Sequence, residues 1–176
     1  METCWEHHAA KTELAGALVA AARSGRLRGQ CLAGIVLVDA DLRGADLAFT
    51  DLSYASLRSC NLSEANLDHA MAESIDLSGS DLSSAVLSFA CMGAGQCSGA
   101  LFRNATADNV NFTGAQMDGC DFSCAQLFYS RFSMAVCDGA LFEHANIERA
   151  IFRKASVCGC DFAQATGHAN FENAVR

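Results

Sequence analysis

The sequence predicts an all-β solenoid in which short extended segments stack coil on coil, and three observations carry that expectation. Positions ending in 2 or 7 hold a large apolar residue over most of the chain: Leu32 through Leu67 at every fifth residue, then Phe102, Phe112, Phe122, Phe132, Phe142 and Phe152 further on. Two residues before each stands a small side chain, usually alanine, as at Ala40, Ala45, Ala55, Ala65, Ala85, Ala100 and Ala125. The frame runs from Gln30 to Ala169, 28 pentapeptides, without an insertion. A helical face would recur at three- and four-residue spacings and a half-buried strand at two. Two inward positions two apart, followed by three others, describe a short extended piece and a turn. Such a unit buries its side chains only by stacking on a neighbour like itself.

The elements follow in chain order. Residues 1–29 lie outside the frame, and 30–176 form the repeat domain. Lys11 to Arg23 is alanine-rich, with Leu14, Leu18 and Ala21 or Ala22 on one face, and Ser24-Gly25 ends it. That pattern predicts a short amphipathic helix. Its expected role is a cap over the first coil, since an open solenoid end invites edge pairing. At the other end the frame slips by one residue after Ala165, so that Ala169-Asn170-Phe171 begins a last partial repeat. With no second cap predicted there, that end is expected to pair with another copy of the chain, giving a homodimer through the C-terminal coil.

The repeats Ala40-Asp41-Leu42-Arg43-Gly44, Ala45-Asp46-Leu47, Ala65-Asn66-Leu67 and Cys120-Asp121-Phe122-Ser123 resemble the motif of the pentapeptide-repeat family. The resemblance covers about four-fifths of the chain. It implies a right-handed quadrilateral β-helix with four pentapeptides per coil and about seven coils here, roughly 34 Å at an inter-strand spacing of about 4.8 Å. Folding the chain at 20 residues per coil gives four inward columns. Phenylalanine enters the columns Leu42-Leu62-Leu82-Phe102 and Leu32-Leu52-Ala72-Met92-Phe112, while the two between them shrink to Cys97, Ala107, Cys137 and Val157. A close-packed core requires that compensation of volume.

Ten cysteines stand in a chain whose start, Met1 to Trp5, lacks the basic and apolar stretches of a signal peptide, which points to a reducing cytoplasm. No two cysteines are 20 apart, so none stack directly, and Cys60, Cys120 and Cys160 share a column at separations too long for a disulfide. No apolar run is long enough to span a membrane.

The sequence shows no catalytic set, no metal site and no cofactor motif. Cys4, His7 and His8 match no standard zinc spacing. His69, His144 and His168 fall on outward positions of different coils, without a serine or cysteine placed to make a nucleophile–base pair. The serines that follow many central residues, among them Ser53, Ser63, Ser78 and Ser83, are expected to bond the turn backbone.

Two outward patterns remain. Phe49, Phe89 and Tyr129 share one column, alternating with His69, Asn109 and Arg149, with Tyr54 and Phe128 near its edges. Outward aromatics joined by arginine suit a protein contact, so the leading expectation is a non-catalytic rigid rod that binds a protein partner through Phe49, Phe89, Tyr129 and Arg149. On a second face Asp41, Asp81, Asp121 and Asp161 recur every other coil, and the net charge is −8. An acidic rod repels nucleic acid and fits a basic partner surface, so no direct nucleic-acid binding is expected. The family resemblance implies an alternative: an acidic DNA mimic that binds DNA gyrase or another type II topoisomerase and protects it from quinolones or toxins. A weaker alternative is a bacterial secretion-system accessory or effector-adaptor role. Asp or Asn before the central residue also has a structural use, accepting backbone hydrogen bonds in the turn.

Overall fold

Parallel backbone bridges join residues 20 apart all along the repeat, as in Cys31 to Asp51, Val36 to Ser56, Asp41 to Asn61 and Asp46 to Asn66. The computed structural model describes residues 16–176. Four ladders of such bridges run side by side through it, so each turn of the chain takes four pentapeptides. Each rung is short because the pattern allows only one extended residue before the turn. The regular geometry is visible between the first two coils, where Leu42 N–H donates to Asn61 O at 2.7 Å and Asn61 N–H donates back to Ala40 O at 2.9 Å.

The turns explain the remaining three positions of each repeat. Ala45 N–H donates to Leu42 O at 3.0 Å, closing a turn whose third residue, Gly44, has φ of 62°. The same positive φ recurs in the turns that follow and falls on many residues with side chains, Phe49, Tyr54, His69, Phe89 and Tyr129 among them. Asp and Asn before the central residue act as the sequence suggests. Asp51 Oδ1 accepts the Ser53 N–H at 3.0 Å, and Asp76, Asp81 and Asn111 accept in the same way. The serines differ from expectation. Ser63 and Ser78 donate their hydroxyls to Asn61 and Asp76, each at 2.7 Å. The acidic or amide oxygen takes the backbone bond, and the serine reinforces it.

The small and central residues of the repeat form one continuous core, with Leu42 through Phe152 buried. Its C-terminal half is two interlocked stacks of phenylalanine. Phe102, Phe122, Phe142 and Phe162 lie face to face at 4.7, 5.1 and 4.6 Å. Phe112, Phe132, Phe152 and Phe171 do the same at 5.1, 4.6 and 4.9 Å. Between the stacks the rings meet edge-on, as Phe122 meets Phe132 at 5.6 Å and 90°. Both arrangements are favoured by the ring quadrupole.

The polar groups that enter this core are satisfied. Thr50 and Ser80 donate to Leu47 O and Leu57 O at 2.6 Å. Cys60, Cys120 and Cys160 donate to the carbonyls of Leu37, Cys97 and Cys137, each at 2.9 Å. This 23-residue offset brings Cys120 onto Cys97 and Cys160 onto Cys137 across neighbouring columns, a proximity that comparing thiols within one column misses. The thiols are free. Burial pushes Cys120 up to about 12 and Cys160 to about 11, and it raises Cys97 and Cys137 well above the ordinary thiol range. Reactivity requires the thiolate, so these cysteines act as small apolar filler.

At the N-terminal end, residues 16–23 are helical (α1). Ala22 is fully buried, and Val19 and Leu27 pack against the core. The carbonyl of Ala22 accepts the Asp46 N–H at 3.1 Å, and Arg23 reaches Asp41 at 2.6 Å. Leu14 and the rest of the expected helix before Gly16 lie outside the described residues. At the C-terminal end the ladder register falls from 20 to 19, as Ile151 pairs with Asn170 and Ser156 with Val175. The regular frame therefore closes at Thr166, three residues before the end that the count of pentapeptides gives. Gly167, with φ of 91°, cuts the corner. Phe171 is thereby set on Phe152 at 4.9 Å and continues its stack. No helix among the described residues is long and apolar enough to cross a membrane.

An outward aromatic ladder as the candidate functional site

Phe49, His69, Phe89, Asn109, Tyr129 and Arg149 occupy successive rungs of one turn column, as their sequence spacing predicts. Phe49 and His69 stack at 4.9 Å and 14°, and His69 and Phe89 at 4.9 Å and 25°. Arg28 lies over the Phe49 ring at 4.8 Å, and Arg149 lies over Tyr129 at 5.1 Å while also meeting its hydroxyl. The column is thus a cation-capped π-stack along the outside of the rod. Phe49, His69 and Phe89 lie face to face, and the column's rings stay open to solvent: Phe49 is 47% exposed, Phe89 52% and Tyr129 38%.

Neighbouring groups fix these side chains. His69 Nδ1 lies 2.9 Å from Asp68, and Phe128 meets Tyr129 edge-on at 4.5 Å. Tyr54, at 71% exposure, stacks on none of these rings. The backbone makes the arrangement unusual. Phe49, Phe89 and Tyr129 have φ of 60°, 60° and 58°, a left-handed conformation that bulky residues rarely adopt. In the column half a coil away the same position holds Gly79, Gly99, Gly119, Gly139 and Gly159 in succession. Glycine would be easier at the ladder too, where rings stand instead.

The second column of interest is built differently. Asp41 Oδ1 and Oδ2 take Arg43 at 2.9 and 2.8 Å, and Arg23 adds a contact at 2.6 Å. The hydrogen bonds from Arg43, then that from Arg23, hold its carboxyl well below the usual carboxylate range. Asp121 is only 5% exposed and takes Arg103 Nε at 2.6 Å. Burial alone would raise it, but the Ser123 hydroxyl and N–H and the Arg103 guanidinium outweigh that and lower it. Asp81 and Asp161 accept the N–H of Ser83 and Ala163, each at 2.9 Å. All four carboxylates serve the turn, and two are also neutralised by arginine. Between them on the same ladder stand Leu101 and Leu141, so the column is not uniformly acidic.

Arg103→Gln is expected to cost roughly 1–2 kcal/mol at neutral pH, because it leaves a buried carboxylate without its cation while half-exposed Arg103 is itself screened. Asp121 is depressed in the fold, so its stabilising contribution is complete above the unfolded value of about 3.9 and disappears as pH falls through the folded value. Urea melts of the two proteins should therefore converge in acid. A gap that stays constant from neutral to strongly acid pH would assign the loss to packing instead.

His144 lies 3.6 Å from Glu143, and His168 lies 3.7 Å from Glu148. Neither is placed beside His69. Cys4, His7 and His8 lie outside the described residues. Among the described residues no cluster of His, Cys, Asp and Glu could hold a metal ion. The repeat spacing sets Phe49, Phe89, Tyr129 and Arg149 in one column but gives no sign of the second arginine cap, Arg28. Arg28 precedes the frame, and nothing in the repeat pattern sets it over Phe49.

A family profile described as Pentapeptide repeats matches in eight copies over residues 26–59, 60–93, 96–133 and 125–164. Among solved structures, a trypsin-treated form of QnrB1, a plasmid-mediated fluoroquinolone resistance protein, is similar with a TM-score of 0.64 and 21% identity over 85% of this chain and 78% of that one. HetL, a pentapeptide repeat protein involved in heterocyst differentiation regulation from the cyanobacterium Nostoc, shows 24% identity over 91% of this chain and 93% of its own, with a TM-score of 0.38. No curated protein matches the sequence. The repeat frame, the four parallel ladders and the matched profile place this chain in the pentapeptide-repeat family, and its fold is that family's right-handed β-helix solenoid.

Proposed function

We propose that this protein is a rigid, non-catalytic interaction rod that binds a protein partner through the ladder of Phe49, Phe89, Tyr129 and Arg149. The single observation that carries this reading is the exposed stack itself. Aromatic rings are held in solvent, in a backbone conformation that favours glycine, and are ordered on one another at 4.9 Å. Exposed aromatic and arginine side chains are the residues that dominate protein contacts. The rod that presents them is read as a quadrilateral helix of about seven coils in a reducing compartment such as a bacterial cytoplasm, a setting that the free thiols suit. The C-terminal coil, where Phe162, Phe171 and Val157 line an open hollow of about 370 Å³, is proposed to pair with a second copy.

The second reading, an acidic mimic of DNA that acts on a type II topoisomerase, is favoured by the net charge of −8 and by the fold likeness to QnrB1. The pairing of Asp41 and Asp121 with arginine weighs against it. Two variants separate the readings. Replacing Phe49, Phe89 and Tyr129 together by serine is expected to weaken the partner at least thirtyfold, equivalent to about 2 kcal/mol, with little dependence on salt. Replacing Asp41, Asp81, Asp121 and Asp161 by asparagine should leave that partner bound. Gyrase supercoiling with and without a quinolone tests the alternative directly. Inhibition or protection that fades with added salt, and is lost in the asparagine variant, would reverse the order of the two readings.

A further inference from the structure

The aromatic ladder is interrupted at one rung. Phe89 stacks on His69 on one side, Tyr129 holds Arg149 on one side, and between them the rung belongs to Asn109, whose backbone continues the coil register through Phe128 O at 2.8 Å. A cavity of about 380 Å³ opens there, lined by Phe89, Asn109, Tyr129, Arg131 and Ile151. A ring placed over Asn109 would lie one coil step from each neighbour, about 4.8 Å, which is the spacing at which Phe49, His69 and Phe89 already stack, 4.9 Å. The gap therefore has the register of one missing ring and ample room for it.

The wall beside it carries charge. Arg131 is exposed, and its ladder neighbours are Asn111 and Ile151. Among the described residues the other arginines nearby are engaged: Arg103 with Asp121, Arg149 with Glu148 and Arg153 with Glu172. Among the described residues no carboxylate lies within ion-pair distance of Arg131.

We propose that this gap takes one planar aromatic side chain of a partner protein, carried beside an acidic residue that pairs with Arg131. The inference rests on the ladder being a contact surface and specifies what that contact recognises. Arg131 at the cavity wall calls for one local carboxylate beside the ring, whereas a nucleic acid, whose bases could also stack, would bring a phosphate at every nucleotide against a net charge of −8.

The test uses the intact protein and four probes followed by NMR: the tripeptides Glu-Trp-Glu, Glu-Leu-Glu and Lys-Trp-Lys, and a short single-stranded oligonucleotide. Glu-Trp-Glu should shift the amides around Asn109 and saturate at millimolar concentration. The leucine and lysine peptides should bind at least tenfold more weakly, and the oligonucleotide should not compete. Asn109→Phe fills the rung with the residue that Phe49 and Phe89 already hold at the same φ, so it should fold and lose at least tenfold in affinity. Asn109→Gly keeps the gap and should bind as the parent does, while Arg131→Gln should abolish the preference for the acidic over the basic peptide.

Equal binding of the leucine peptide, preferential binding of the oligonucleotide, or undiminished binding to Asn109→Phe would overturn the proposal, as would no saturable shift at all. Binding lost on substitution of Phe49 but unchanged in Asn109→Phe would refute the gap while leaving the ladder as the contact surface. Binding indifferent to both would remove both.

Discussion

Phe122→Ala is expected to lower the unfolding free energy by about 3–5 kcal/mol, among the largest losses of any single truncation in the rod. Phe122 is fully buried. It stacks on Phe102 at 4.7 Å and on Phe142 at 5.1 Å, and it meets Phe112 and Phe132 edge-on at 6.0 and 5.6 Å. Removing the ring opens a void that the flanking coils cannot close, because backbone ladders on every side fix the coil spacing. Phe122→Leu should recover a large part of the loss, since leucine serves the same column at Leu42, Leu62 and Leu82. The position should also change the form of the transition. A solenoid couples each coil only to its neighbours, so a void within the phenylalanine stack weakens the link between the coils that precede Phe122 and those that follow it. Urea denaturation of the alanine variant should show a reduced slope or two phases, whereas Leu62→Ala should shift one transition. A loss under about 1 kcal/mol would mean that the rings do not form a continuous stack.

Most of this architecture is legible in the residues because it rests on a strict spacing. An inward side chain every fifth position and a bridge every twentieth leave little freedom, so the columns, the exchange of leucine for phenylalanine and the outward aromatic rungs all follow from counting. Three things do not follow. The spacing puts the register change after Ala165, but its position at Gly167 depends on which residue tolerates a left-handed corner. The meeting of Cys120 with Cys97 arises because the small side chain leans toward the coil behind and one column over, a direction that spacing does not encode. The frame sets Asp121 on an outward position, yet it is buried, with Arg103 bonded to it and Leu101 and Leu141 flanking it on the ladder. The site follows the same rule. The frame places Phe49, Phe89 and Tyr129 in one column, but whether rings in a column stack, splay or lie flat is decided by side-chain torsions and by neighbours such as Arg28, which belongs to no repeat.

The last coil supplies the second large effect. Gly167→Ala is expected to release residues 166–176 from the end of the rod while leaving the rest intact. A Cβ at this position would lie 2.6 Å from both Cα and N of Glu148. Those atoms are backbone held in the coil below, so neither can yield cheaply. The conformation compounds the clash, since φ of 91° costs a side-chain-bearing residue roughly 1–3 kcal/mol. Relief by detachment is the easier route, because the final rungs are bonded on one side alone, by Phe171 on Phe152 and by one layer of backbone bonds that includes Asn170 and Val175 N–H to Ala150 and Ala155 O, each at 2.8 Å. Hydrogen exchange should therefore accelerate at Asn170, Val175, Phe152 and Val157, whose amides pair within this rung, and remain slow at Leu62 or Leu82. Sedimentation of the same variant reads the proposed pairing of C-terminal coils. A dimer held through them should dissociate as the coil detaches, and one that persists unchanged would place the contact elsewhere on the rod. Unaltered exchange in the last rung would show that the corner relaxes in place, and the register change would then not depend on glycine.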